Sequence, residues 1–130
     1  MYLADTNIFL HILLKKEKYQ QVLNFLKGNY EIYITEFSLY SICILLSKLK
    51  EFDLLNIFVS DIISCDFITI IGIEPEEIKK IVEIERNYNL DFDDAYQYYI
   101  ALREDITIVS YDKDFEKTPK GRKIPELIIS

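Results

Sequence analysis

The chain of 130 residues is 50% hydrophobic and 14% aromatic with three Gly and three Pro, which excludes disordered, collagenous and low-complexity classes and predicts one domain over 1–130. A net charge of −7 and a single histidine, His11, against 22 Asp plus Glu exclude multi-histidine zinc chemistry and leave carboxylates as the most plentiful reactive groups. No apolar run reaches the ~20 residues of a membrane helix and Met1 to Ala4 lacks a basic leader, so a cytoplasmic protein is expected.

Residues 1–4 read as a short apolar strand, and Asp5, Thr6 and Asn7 then supply helix-starting residues ahead of Ile8, Phe9, Leu10, Ile12 and Leu13. Tyr19, Val22, Leu23 and Leu26 recur at i, i+3, i+4 and i+7, which predicts a helix over 17–27 closed by a left-handed Gly28. Tyr30 to Ile34 alternate and read as a second strand. Leu39, Ile42, Cys43, Leu46 and Leu49 give a helical stripe, and Asp53 is placed to cap a further helix through Ile63. Seven of the ten residues 54–63 are apolar, more than one buried face needs, so this helix is expected to be sandwiched or to pair in a homodimer.

Phe67 to Ile71 is a near-continuous apolar run, as expected of a strand covered on both faces. Glu74, Pro75, Glu76 and Glu77 open a helix whose buried face is Ile78, Ile81 and Val82, with Glu76 and Lys80 one turn apart. Asp91 caps another helix with Phe92, Ala95, Tyr99 and Leu102 on its apolar side. Ile106 to Val109 is a fourth strand; a short acidic helix from Asp112 to Lys117, a loop and a last strand over Ile124 to Ile129 complete the chain. This alternation implies an α/β fold: a three-layer α/β/α sandwich around a mostly parallel sheet of about four to five strands. Cys43 and Cys65 have no C-x-x-C spacing and read as reduced, buried thiols.

Charge is unevenly distributed. Residues 89–116 hold eight acids and two bases, which accounts for −6 of the −7. Two basic clusters stand apart: Lys15, Lys16 and Lys18, and then Lys117, Lys120, Arg122 and Lys123. A focused acidic pocket flanked by basic segments suits a metal that screens the acids and phosphates that rest on the bases, with Lys15, Lys16, Lys113 and Lys117 as the candidates to hold those phosphates. For any one cluster alone, solvated charge on helix ends and a loop is the simpler reading.

In open α/β sheets, function collects beyond the carboxyl ends of the strands. Asp5 follows the first strand, Asp112 follows the fourth, and Asp94 lies in the first turn of the helix leading into the fourth. Two carboxylates about 5 Å apart repel by roughly 3 kcal/mol at an effective dielectric of 20, so three gathered together call for a divalent cation, magnesium or manganese. Such an ion activates water for attack on a phosphodiester. Each acid has a plainer role as a helix cap, but three strand-end placements together are harder to explain that way.

The segments Leu3-Ala4-Asp5-Thr6-Asn7-Ile8-Phe9-Leu10, Leu90-Asp91-Phe92-Asp93-Asp94-Ala95 and Ile108-Val109-Ser110-Tyr111-Asp112-Lys113-Asp114-Phe115 resemble, in order, the acidic motifs of PIN-domain ribonucleases, including the toxins of VapBC-type toxin–antitoxin pairs. The resemblance spans almost the whole chain and implies a PIN-like fold and metal-dependent hydrolysis of RNA. It implies that Asp5, Asp94 and Asp112 are catalytic metal ligands, that Asn7 and Ser110 support them and that Asp114 is an auxiliary acid. An antitoxin partner and a homodimer are implied as well.

One position departs from the pattern. The family carries a Glu in the helix after the second strand, and aligning Thr35, Ser38, Leu39 and Tyr40 to that motif puts Ser41 in its place. Glu36, the nearest acid, is five residues away, about 140° and ~7.5 Å along a helix, so it substitutes only from the strand end. Asp91 or Asp93 are the other candidates to compensate. Two readings follow: a metal-dependent endoribonuclease, favoured by the three aspartates, and a catalytically impaired PIN-like domain that binds RNA or a protein without cleavage, favoured by Ser41. An aspartyl-nucleophile phosphotransferase is disfavoured, because Asn7 occupies the position where its second acid belongs. His11, one turn after Asn7, and Tyr96, Tyr98 and Tyr99 suggest a base and base-stacking rings, with core packing as the simpler reading.

Overall fold

Four parallel strands in the order β3-β2-β1-β4 form the centre of the protein, seen in a computed structural model that describes residues 1–128. β1 (Tyr2–Ala4), β2 (Ile32–Thr35), β3 (Ile68–Ile71) and β4 (Thr107–Val109) are short, and β2, β3 and β4 are rich in β-branched residues. The helices are α1 (Thr6–Leu13), α2 (Tyr19–Leu26), α3 (Glu36–Lys48), α4 (Phe52–Ser64), α5 (Ile78–Tyr88) and α6 (Phe92–Glu104).

Strand side chains alternate between two faces, and the core divides accordingly. Leu3 and Ile108 face α5 and α6, whereas Ala4, Ile32, Ile34 and Val109 face α1 to α4. The result is the expected α/β/α sandwich with four strands. α6 is buried continuously from Asp94 to Ala101, because it lies against α5, β4 and the 3-10 turn Lys113–Lys117 as well as the sheet-side core. Tyr96, Tyr98 and Tyr99 are therefore core residues, so none of these three rings is exposed for base stacking, and Leu102 is exposed.

Several expectations shift. Ile124 to Ile128 does not form a fifth strand: Pro125 starts a 3-10 turn, Pro125–Leu127, and ahead of it Lys123 forms an isolated parallel bridge with Val109. Ile129, the end of that expected strand, lies outside the described residues. β3 is an edge strand, so Thr69 and Ile70 are exposed instead of covered on both faces. The left-handed residue after α2 is Asn29 (φ 57°) and not Gly28. Asp53 sits inside the first turn of α4, whose cap is Glu51. Pro75–Glu77 is a 3-10 turn, and α5 buries Ile81 and Ile84 while Ile78 and Val82 are exposed. Cys43 and Cys65 are free thiols and half-buried. Among the described residues, no helix is long and apolar enough to cross a membrane.

Candidate active site

The chain runs from β1 through β2 to β3, then returns to place β4 on the other side of β1. That reversal leaves a crevice beyond the carboxyl ends of β1 and β4. A cleft of about 220 Å³ lies there, lined by Asp5, Thr6, Asn7, Leu10, Phe37, Ser41, Asp93, Asp94 and Asp112.

Asp5 leaves β1 in an extended conformation and caps α1, with its Oδ1 accepting from the Thr6 N–H at 2.7 Å. The Gln97 amide also donates to Oδ1. Oδ2 accepts from the Ser110 hydroxyl at 2.6 Å and from Asn7 Nδ2 at 3.2 Å. Burial pushes the Asp5 carboxyl above its ordinary range, opposed by the donors from Ser110, Gln97 and Thr6. Asn7 also binds the opposite strand end, since its Oδ1 accepts from the Tyr111 N–H at 3.3 Å.

Asp112 and Asp94 complete the cluster. The Asp112 N–H donates to Ser110 Oγ at 2.9 Å, and Asp112 Oδ1 accepts from the Asp114 N–H at 2.9 Å, opening the turn Lys113–Lys117. Asp94 lies in the first turn of α6, where the helix dipole favours an anion. Each of the three aspartates offers an oxygen, all within 4.8 Å of one another. Burial and then the charges of Asp93, Asp112 and Asp5 push the Asp94 carboxyl up to about 8. An all-oxygen set of crowded carboxylates fits a hard divalent cation such as magnesium or manganese and does not suit a soft metal.

The structure brings Asn7, Ser41 and Asp93 into the cleft with the three aspartates, and buries Ser110 behind Asp5 and Asp112. Three expected acids stay outside it. Glu36 begins α3 and turns toward the end of β3, where its carboxylate covers Gly72. Asp91 is an exposed residue at the α6 cap position. Asp114 pairs with Lys117 at 3.6 Å. Lys15, Lys16 and Lys113 are exposed, whereas Lys117 also donates to the Asn89 carbonyl, Lys120 pairs with Asp105, and Arg122 binds the Ser110 carbonyl and Glu116. His11 does not line the cleft: its Nδ1 accepts from the Lys18 N–H at 3.4 Å and its ring meets Tyr111 edge-on. Burial and the Lys16 charge lower its pKa.

Sequence reasoning missed Gln97, Thr6 and Phe37. Gln97 carried a usable signal, an amide one turn after Asp94 in an otherwise apolar and aromatic helix segment.

The PIN domain family model matches residues 2–121. The chain is similar in structure to a toxin–antitoxin complex from Klebsiella pneumoniae, at 20% identity and a TM-score of 0.75, covering 96% of this chain and 98% of that one. It is also similar to VapC20 of Mycobacterium tuberculosis, described as a sarcin–ricin loop cleaving toxin, at 11% identity and a TM-score of 0.77 over 89% and 93% of the two chains. A third similar structure is VapBC2 of Rickettsia felis bound to a promoter DNA fragment, at 20% identity and a TM-score of 0.69 over 94% and 96%. No curated protein matches the chain.

Proposed function

The chain belongs to the PIN domain family, and from that premise we propose that it is a divalent-metal-dependent endoribonuclease of the VapC toxin type. The observation that carries this reading is the convergence of Asp5, Asp94 and Asp112 within 4.8 Å. Asp5, Asp94 and Asp112 would hold magnesium or manganese. Bound there, the ion would supply Lewis acidity at a phosphodiester oxygen and a more acidic water.

The protein's own groups divide the remaining work. Ser110 and Asn7 hold Asp5 in one orientation, and Asp93 adds negative charge at the mouth of the cleft. Lys15, Lys16 and Lys113, being exposed, are free to meet RNA phosphates. Lys117 is bound to Asp114 and Asn89, which argues against its use for RNA.

Ser41 favours the second reading, a domain that binds without cutting, since it puts a hydroxyl in the cleft where the family has a carboxylate. One titration separates the two. Manganese should stimulate RNA cleavage by the wild type and not by Asp94→Asn or Asp112→Asn; cleavage that survives both substitutions overturns the assignment, and binding without cleavage selects the second reading.

The likeness to toxin–antitoxin structures supports an antitoxin partner. An apolar groove of about 420 Å³, lined by Phe9, Leu13, Leu54, Phe58 and Ile62 among others, offers it a surface. A homodimer is supported by the exposed Tyr40 and Ile44 on one face of α3, with Phe52 and Ile63 exposed on α4.

A further inference from the structure

Gln97 lies in the buried part of α6, between Tyr96 and Tyr98, and is only 2% exposed. Burial of an amide is unfavourable unless its donors and acceptor are matched. Here the match is incomplete. Nε2 donates to Asp5 Oδ1, while Oε1 has no hydrogen-bond partner among the described residues. A methionine would fill a similar volume and leave no polar atom unpaired, so packing gives no reason for an amide at this position.

The reason lies with Asp5. An ionised carboxylate only accepts hydrogen bonds, so Nε2 and not Oε1 must face it. Gln97 does not line the cleft and therefore reaches Asp5 from within the core. The other donors to Asp5, Thr6, Asn7 and Ser110, come from the segments that directly follow β1 and β4. Gln97 instead ties the Asp5 carboxylate to α6, one turn beyond Asp94. That single bond links the helix carrying one acid of the cluster to the strand end carrying another.

We propose that Gln97 is a positioning residue that fixes the orientation of Asp5 relative to Asp94 and so presets the cation site; this rests on the metal-dependent reading above. Partners that orient metal-binding side chains typically change affinity by roughly 10- to 100-fold when removed. The test is manganese binding by the full chain, measured by calorimetry and by the manganese-induced rise in Tm, for wild type, Gln97→Met and Gln97→His. Gln97→Met should fold with a metal-free Tm near that of wild type yet bind manganese roughly 10- to 100-fold more weakly. Gln97→His keeps an N–H donor at similar reach and should recover part of the affinity. A packing role predicts the reverse order, because methionine suits an apolar site better than imidazole. Equal binding by wild type and Gln97→Met, no advantage of His over Met, or failure of both variants to fold overturns the proposal. A wild type that binds no manganese is a separate result, which removes the metal-dependent reading itself.

Discussion

Ser110 donates a 2.6 Å hydrogen bond to the Asp5 carboxylate across 105 residues of chain, fastening the end of β4 to the end of β1 at the cleft. The same hydroxyl accepts from the Asp112 N–H at 2.9 Å and from Asn7 Nδ2 at 3.2 Å. Ser110→Ala therefore leaves a buried carboxylate and a backbone N–H short of partners together. The expected loss is about 1–3 kcal/mol in urea denaturation, the usual range for an unsatisfied buried group, accompanied by weaker manganese binding in calorimetry. A stability within error of wild type would show that water replaces the hydroxyl.

Asp94→Asn should abolish manganese-dependent cleavage and raise the metal-free Tm. The Asp94 carboxyl is held at about 8 in the folded protein against an ordinary 3.8. Below both values the group is protonated in both states and has no effect. As pH rises between them the unfolded chain releases this proton while the folded chain keeps it, so the group destabilises the fold progressively. In EDTA, the Tm advantage of Asp94→Asn should be small near pH 4 and grow toward pH 8; an advantage independent of pH would remove charge repulsion as its cause.

The three aspartates are legible in the sequence because each stands at a strand end or in a first helical turn, positions marked locally by Val109 and Ser110 or by Asp91 and Ala95. Glu36 is not, since the direction of a first-turn side chain depends on what it meets, and Gly72 at the end of the neighbouring strand gives it room. Nor is the burial of Gln97, because α6 is enclosed on several sides and shows no single apolar stripe; the packing of Tyr96, Tyr98 and Tyr99 in the core, by contrast, follows the simpler reading of those rings. The edge position of β3 was hidden for a related reason: an apolar run reads alike in a central strand and an edge strand.

Ser41→Glu should put a carboxylate into the cleft, because Ser41 lines it together with Asp5, Asp94 and Asp112. In EDTA a fourth acid adds repulsion and lowers Tm. With manganese the order inverts, and both the metal-induced Tm rise and the cleavage rate should exceed those of wild type. Unchanged cleavage alongside tighter metal binding would show that the wild-type site is not limited by the missing ligand.

Glu77 is held by the Tyr99 hydroxyl at 2.6 Å, the Glu74 N–H at 2.7 Å and Arg103 at 2.7 Å, while Arg103 also reaches the Gly72 carbonyl at 3.0 Å. These donors, Tyr99 first, bring its carboxyl down to about 2 from 4.5. A depressed acid contributes stability above its unfolded value and loses it as pH falls toward the folded one, here between about 4.5 and about 2. Arg103→Met removes one donor, so its acid unfolding midpoint, followed by circular dichroism, should move to higher pH, with little change in the slope of stability near neutrality. A midpoint equal to that of wild type would mean that Tyr99 and the backbone hold Glu77 without help from Arg103.

Tyr40 and Ile44 project from one face of α3 at 60% and 57% exposure, and Phe52 and Ile63, eleven residues apart, share a face of α4 at 57% and 72%. An exposed apolar patch marks an interaction surface, and under the proposed homodimer a second copy covers it. Sedimentation equilibrium should give a dimer for wild type and a monomer for Ile44→Asp, because the new carboxylate would have to lose its water in the interface. Metal binding should be the same in both, since Ile44 does not line the acidic cleft. A wild type that stays monomeric at high concentration would leave these side chains to a different partner and remove the homodimer.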